Sequence, residues 1–220
     1  MSWRTASDGD APGLRAFLER HEPGAVVFSE YLRVHGIGKK AGRFQRVLLY
    51  EEERQILAAV LHTGAGFFVP AGPSGKLPAF QELRELINPD ENRLHSVMGE
   101  LATVSALTQT VALPLSQSVD YHLMYRSGVQ RLPFVEPPLP DLDYRWAAPR
   151  DAKRLRAIQE AYEREEVLLP GHTFNARVSL ENLKHHLRSQ LVIYATHHGK
   201  VVAKAATNAR GFSCDQLGGV

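Results

Sequence analysis

The sequence has 220 residues, of which 44% are hydrophobic and 23% charged, and its formal net charge is +2 at pH 7. This composition is typical of a folded globular protein and excludes a disordered or low-complexity chain. The small charge offers no electrostatic basis for binding nucleic acid or an anionic membrane, so we expect neither partner.

The first 131 residues predict a mixture of helices and strands. Leu14, Phe17 and Leu18 have the spacing of a short helix, which Pro23 ends. The further elements predicted in chain order are a strand over 43–51, one or two strands over 55–69 with a break at 64–66, helices over 80–87 and 93–107, and a strand over 121–125. The segment 71–77 looks like a phosphate-binding loop, but Pro70 and Leu77 replace its defining residues, so we expect an ordinary surface loop.

Four prolines between residues 133 and 140 predict an extended linker over 132–143. The linker would separate a first domain, 1–131, from a second segment, 144–220. The second segment predicts a strand over 144–147, a helix with Leu155, Ile158 and Tyr162 on one face, a helix capped by Ser179, and strands over 191–196, 200–208 and 212–217. A hairpin centred between residues 209 and 210 would place Lys204 opposite Asp215.

Few residues suit metal binding or a disulfide. The single cysteine, Cys214, excludes an internal disulfide and fits a reducing compartment. The pairs His185-His186 and His197-His198 are adjacent, so the two rings of each pair point apart. We expect no metal, and since no signal peptide or membrane-spanning run is found, we expect a cytoplasmic protein.

Two short motifs could carry chemistry. Glu163, Glu165 and Glu166 crowd the end of a predicted helix, where negative charge opposes the helix dipole. They form either a solvated face or a site for a cation. Gly218-Gly219 follows the last predicted strand, and backbone N–H groups without side chains beside them are typical of a strand end that a ligand approaches.

The element order and the run from Lys204 to Val220 resemble the GNAT superfamily of acyl-CoA-dependent N-acyltransferases. Tyr162-Glu163 and Glu165-Glu166-Val167 are similar to a two-domain subgroup whose first domain is degenerate. The resemblance implies an α/β fold with mixed sheets and tandem GNAT-like domains. It also implies acetyl transfer from acetyl-CoA, as co-substrate, to a small-molecule or peptide amine.

The resemblance also implies the site. Backbone N–H groups of the fourth strand hold the pantetheine arm and polarise the thioester, and the matching residues are Gln216, Leu217, Gly218, Gly219 and Val220. A carboxylate takes the proton of the amine, and Glu165 or Glu166 could do so or bind a cationic amine. Spacing does not choose between them.

The sequence departs from the family pattern after its fourth strand, since no pyrophosphate-binding loop follows Val220. We therefore expect a chain truncated within the second GNAT domain and inactive alone. The alternative is a non-catalytic interaction or regulatory module whose open sheet edge is completed by a strand of a partner. The sequence leaves the oligomeric state open, a homo-oligomer included.

Overall fold

The structure, a computed structural model, describes residues 2–37, 46–63, 67–72, 80–86, 95–111, 116–128 and 140–219. The chain divides into two compact units, one of Met1–Arg126 with Gly211–Cys214 and one of Ser127–Arg210 with Asp215–Val220. Each unit combines helices with a β-sheet, which confirms the mixed α/β class. None of the helices in the described ranges has the length and apolar character needed to cross a membrane.

The first unit is built on a five-stranded sheet. Its elements in chain order are β1 (Ser2–Thr5), α1 (Ala11–His21), α2 (Val26–His35), β2 (Arg46–Glu52), β3 (Gln55–His62), β4 (Phe67–Ala71), α3 (Phe80–Leu86), β5 (Ser96–Val97) and α4 (Leu101–Val111). The strands lie in the order β1-β2-β3-β4-β5. All neighbours are antiparallel except β4 and β5, which are parallel.

Both faces of this sheet are buried. Successive residues of a strand point to opposite faces, so Leu48 and Leu49 of β2 enter different cores. Leu49 packs in the cluster of α1 and α2 with Leu14 and Phe28. Leu48 packs in a second cluster that contains Leu83 of α3 and Leu107 of α4.

The predictions for the first unit are partly confirmed. The helix at Leu14–Leu18, the helix over 80–87 and the described parts of the strands over 43–51 and 55–69 are present. The strands β1 and β5 and the helix α2 were not predicted, and the helix expected from residue 93 begins at Leu101. The strand expected over 121–125 is wrong, because that segment belongs to no strand or helix and its side chains are exposed. The break at 64–66 and the loop over 73–77 lie outside the described residues.

The second unit contains a four-stranded antiparallel sheet. Its elements are β6 (Leu142–Trp146), α5 (Ala152–Tyr162), a π-helical turn (Glu163–Val167), α6 (Ala176–Ser189), β7 (Val192–His197), β8 (Lys200–Arg210) and β9 (Asp215–Gly218). The strand order is β6-β7-β8-β9. The helices pack on one face, where Leu155, Leu183 and Leu187 bury Tyr194 and Ala206.

Three local predictions for this unit are wrong. Asn175 caps α6, its Oδ1 accepting from the N–H groups of Arg177 and Val178 at 3.1 Å each, while Ser179 is buried within the helix. The last strand begins at Asp215 and not at residue 212, because residues 211–214 form the hairpin loop. Asp215 therefore lies opposite Arg210, whereas Lys204 lies opposite Tyr194. The predicted linker lies, up to residue 139, outside the described residues.

The two units repeat one order of elements. The series β1-α1-α2-β2-β3-β4 corresponds to β6-α5-α6-β7-β8-β9. A two-residue turn with positive φ joins the central strands in both, Glu53-Arg54 in the first and His198-Gly199 in the second. A β-bulge precedes each turn by the same number of residues, at Tyr50/Glu51 and at Ala195/Thr196. When the two turns and the two bulges are aligned, Ala59 of β3 takes the position of Lys204 in β8.

Residue identities accompany the repeat at its start. The matching residues are Arg4, Ala6, Asp10, Ala11, Leu14, Arg15, Ala16 and Glu19 in the first unit and Arg145, Ala147, Asp151, Ala152, Leu155, Arg156, Ala157 and Glu160 in the second. Their contacts are repeated too. Asp10 accepts from the N–H of Ser7 at 2.7 Å, and Asp151 accepts from that of Ala148 at 2.9 Å. The identities, the turn and the bulge thus recur together at matching positions of the two units.

Glu22 is a fully buried carboxylate in the first unit. It accepts hydrogen bonds from the N–H groups of Phe212, at 2.5 Å, and Ser213, at 2.9 Å, and from the Ser213 hydroxyl. Burial by itself would raise the pKa of Glu22, but the hydrogen bonds from Ser213 and Phe212 outweigh it and hold this pKa below its ordinary value. The carboxylate thus fixes residues 211–214 within the first unit.

Candidate functional site

The end of β9 presents backbone without side chains. A Cβ on Gly218 would lie 2.0 Å from Nδ2 of Asn208, so the exposed Asn208 side chain would have to turn away. Gly219 has a φ of +63°, in the left-handed region that favours glycine. Within the described residues β9 is an edge of its sheet, so its outer N–H and C=O groups are open to another molecule.

A buried lysine lies against this strand end. Lys204 of β8 is only 7% exposed. A Cβ on Gly219 would lie 2.9 Å from its Nζ and 3.9 Å from the ring of Tyr162. The Nζ is also 5.1 Å from the centroid of the Tyr162 ring, close enough for a cation–π contact. Because Gly219 has no side chain, the Lys204 amine can occupy the space beside it.

The electrostatic setting of Lys204 favours the neutral amine more than water does. Burial lowers the pKa of Lys204, and the neighbouring Glu163 carboxylate opposes this effect only in part. Glu163 follows Tyr162 directly, and its Oε1 accepts from Nε2 of Gln159 at 2.8 Å. One aromatic ring and one amine thus meet at the end of β9, and the charge of Glu163 acts on that amine.

We expect Lys204→Met to be more stable than the wild type by about 1 kcal/mol at pH 7, since it removes a desolvated ammonium. Because the folded-state pKa of Lys204 lies below its unfolded value, the unfolded chain binds more protons between these two values. The wild-type free energy of unfolding should rise with pH in that window, and the variant should lack this rise. Urea unfolding from pH 7 to pH 10 measures both.

Lys200→Met is the matched control, because Lys200 is exposed on the same strand. It should change the free energy of unfolding little at any pH. A Lys204→Met protein that is less stable than the wild type would contradict the interpretation.

The loop beside the site is longer in the second unit. The connection between α5 and α6 spans residues 163–175, while the corresponding connection in the first unit spans only residues 22–25. It opens with the π-helical turn, and such turns are frequent at functional sites. The Arg164 guanidinium packs over the Phe174 ring at 4.0 Å from its centroid and so ties the two ends of the loop together.

The predicted site residues divide into two groups. The first group lies at the end of the edge strand and consists of Gln216, Leu217, Gly218 and Gly219. Leu217 is 74% exposed. Val220 lies outside the described residues. Glu165 and Glu166 are exposed in the π-helical turn, and neither is among the nearest neighbours of Gly219. In the described part of the chain no group of three or more His, Cys, Asp or Glu side chains could hold a metal ion.

Tyr162 and Lys204 are site residues that the sequence analysis missed. Tyr162 was placed on the apolar face of a helix and Lys204 in a cross-strand ion pair, and although both belong to segments that carry the resemblance, neither was given a role in the site. The signal that could have found Lys204 is its place in the alternation of β8, where it shares a face with the buried Ala206.

The repeat shows which of these features are special to the second unit. Ala59, which corresponds to Lys204, is a fully buried core residue. By the same register Val69 and Pro70 correspond to Gly218 and Gly219. Proline has no N–H, Val69 is buried, and β5 pairs with β4 at Phe67 and Phe68, just before these positions. The strand end is therefore closed in the first unit and open in the second.

Comparisons with known proteins give little further information. No family model matches the chain, and no curated protein sequence matches it. One solved structure to which it is similar is an acetyltransferase from the GNAT family of Colwellia psychrerythraea, with 14% identity and a TM-score of 0.38 over 99% of this chain and 76% of that chain. A TM-score this low does not establish a common fold, so the site is interpreted from the residues of this chain.

Proposed function

We propose that the second unit binds acetyl-CoA at the end of β9 and that the acetyl group is transferred to an amine. The observation that carries the proposal is the open, side-chain-free strand end at Gly218-Gly219, with the Lys204 amine beside it. Open N–H groups would bind the amide carbonyls of pantetheine and polarise the thioester carbonyl. In this interpretation the repeated units are two GNAT-like domains, and the closed first unit has no such site.

The acidic π-helical turn would serve the acceptor. A cationic amine must lose a proton before it attacks the thioester carbonyl, and a nearby carboxylate can take that proton. Glu165 and Glu166 are exposed on the long α5–α6 loop of the same unit. We propose that one of them attracts a small-molecule or peptide amine and acts as its base. The thiolate of CoA is the leaving group.

Binding can be tested at the atoms that carry the proposal. In the ¹⁵N-labelled chain, acetyl-CoA should shift the amide signals of Gly218 and Gly219 in a saturable way, while the signals of the first unit should change little. Release of CoA in the presence of amines, followed with a thiol reagent, reports transfer and tests the expectation that this chain is inactive alone. If millimolar acetyl-CoA leaves both glycine signals unmoved, the proposal is wrong.

The acidic residues have their own test. Glu165→Gln and Glu166→Gln, made separately, should slow amine acetylation by about 100-fold for whichever residue is the base. Glu160→Gln is a suitable control, because Glu160 pairs with Arg156 at 2.6 Å on α5. Unchanged kcat/KM in both variants would remove these residues from the reaction.

The alternative, a non-catalytic module completed by a partner strand, is not favoured. Strand addition uses backbone groups along an edge and gives no role to a buried amine. Lys204 and the left-handed Gly219 are explained better by a ligand at the strand end.

A further inference from the structure

Lys204 has the properties of a reactive amine and the position of an acyl acceptor. Its side chain is more than nine-tenths buried, and its Nζ lies against the backbone of Gly219 and the ring of Tyr162. If a thioester binds at Gly218-Gly219, this amine is beside it. We propose that Lys204 is itself acylated by the acyl-CoA that binds there, as a self-modification of the chain. The proposal rests on the proposed function, which supplies the thioester.

The other described lysines differ in environment. Lys153 and Lys200 are exposed, and the ammonium of Lys184 is held by Glu181 at 2.7 Å. An exposed or ion-paired ammonium is hydrated and protonated at neutral pH and is a poor nucleophile. Burial lowers the pKa of Lys204, which raises the fraction of neutral amine. We therefore expect acylation at Lys204 in preference to the other described lysines.

The groups around Lys204 come from three elements. The Tyr162 ring lies beside it from α5, and Tyr194 lies opposite it on β7. Tyr194 is buried, and its hydroxyl accepts a long hydrogen bond of 3.4 Å from Arg154. The negative charge of Glu163, in the π-helical turn, acts on the amine and offsets part of the effect of burial on the pKa of Lys204.

The chemical step balances without a further reactant. The neutral Nζ attacks the carbonyl carbon of the thioester, so that a C–N bond forms and the C–S bond breaks. CoA leaves as the thiolate, and solvent carries the proton lost from Nζ to that thiolate. The products are an amide at Lys204 and free CoA.

Acylation would change the site in a definite way. The amide carries no charge, makes no cation–π contact with Tyr162, and is larger than the amine that the missing Cβ of Gly219 accommodates. An acetyl group on Lys204 should therefore fill the space beside Gly219. The modification should limit itself to one event and weaken the binding of a second acetyl-CoA.

The experiment is incubation of the full 220-residue chain with acetyl-CoA, followed by intact mass measurement and peptide mapping. We expect one acetyl group per chain, located on Lys204, at a rate that saturates with acetyl-CoA and exceeds that at Lys200 at least tenfold. Lys204→Arg should abolish this modification, and Lys200→Arg, on the same strand, should retain it. Circular dichroism verifies folding, and Lys204→Met serves if the arginine variant does not fold.

The remaining outcomes separate the two proposals. Acetyl groups spread evenly over Lys153, Lys184 and Lys200 would overturn self-acylation, and so would a rate that rises linearly without saturation. Saturable shifts at Gly218 and Gly219 with an unmodified Lys204 would overturn self-acylation alone and leave acetyl-CoA binding intact. Neither shifts nor modification would remove both proposals.

Discussion

Gly219→Ala should weaken acetyl-CoA binding about tenfold or more and slow acetylation of Lys204 by at least as much. The new Cβ would lie 2.9 Å from Nζ of Lys204, so the amine must move away from the strand end. The φ of +63° also strains any residue other than glycine, at a cost of about 1 kcal/mol. Both effects disturb the backbone groups that would hold the thioester. The amide titration and mass mapping described above measure the two losses.

Gly199→Ala provides a matched control within the same sheet. Gly199 has a φ of +77° in the turn between β7 and β8, and a Cβ there would meet no atom within 4 Å. It carries the same backbone strain without contact to Lys204. Both variants should lose similar stability in urea, and only Gly219→Ala should lose binding. Equal binding by the two variants would show that the strand end at Gly219 is not the thioester site.

Glu22→Ala should lower the free energy of unfolding by about 2–4 kcal/mol, because it removes the buried carboxylate that accepts from the N–H groups of Phe212 and Ser213. Glu19→Ala, three residues earlier and at the end of α1, is the control, since Glu19 is exposed and pairs with Arg15 at 2.9 Å. That variant should change stability by less than about 0.5 kcal/mol. Urea unfolding of the three proteins compares them directly.

The effect of Glu22 should depend on pH in one direction. Its folded-state pKa is below the ordinary glutamate value, so its contribution is present above that value and is lost as pH falls through the folded-state pKa. The stability difference between the wild type and Glu22→Gln should therefore shrink in acid. A difference that grows in acid would mean that Glu22 is protonated in the folded protein.

Periodicity predicted the parts of the fold that are set by a single apolar face. Examples are Leu14 and Phe17 in α1 and Leu183 and Leu187 in α6. The turn at His198-Gly199 was predicted from its residue types. The helix α2 was missed because Val26, Val27 and Phe28 favour a strand locally, and packing against the sheet decides otherwise. The two-residue strand β5 is too short to leave a pattern.

The candidate site was only half predictable. The adjacent glycines Gly218 and Gly219 indicated the open strand end, because glycine lets another molecule approach the backbone closely. The neighbours of Lys204 depend on hairpin register, and the loop over 211–214 is longer than the turn that was expected. The burial of Lys204 comes from the packing of Tyr162, at the end of α5, which no local pattern contains.

The repeated architecture separates two demands that conflict within one domain. A buried ammonium and a left-handed strand end lower stability, while function at such a site depends on keeping them. The first unit bears neither, since it has Ala59 where the second has Lys204 and Pro70 where the second has Gly219. Because the same series of elements occurs twice, one unit can be optimised as a stable structure while the other keeps a site that lowers stability. In such a division of labour, stabilising substitutions should be tolerated freely in the first copy and should trade against activity in the second.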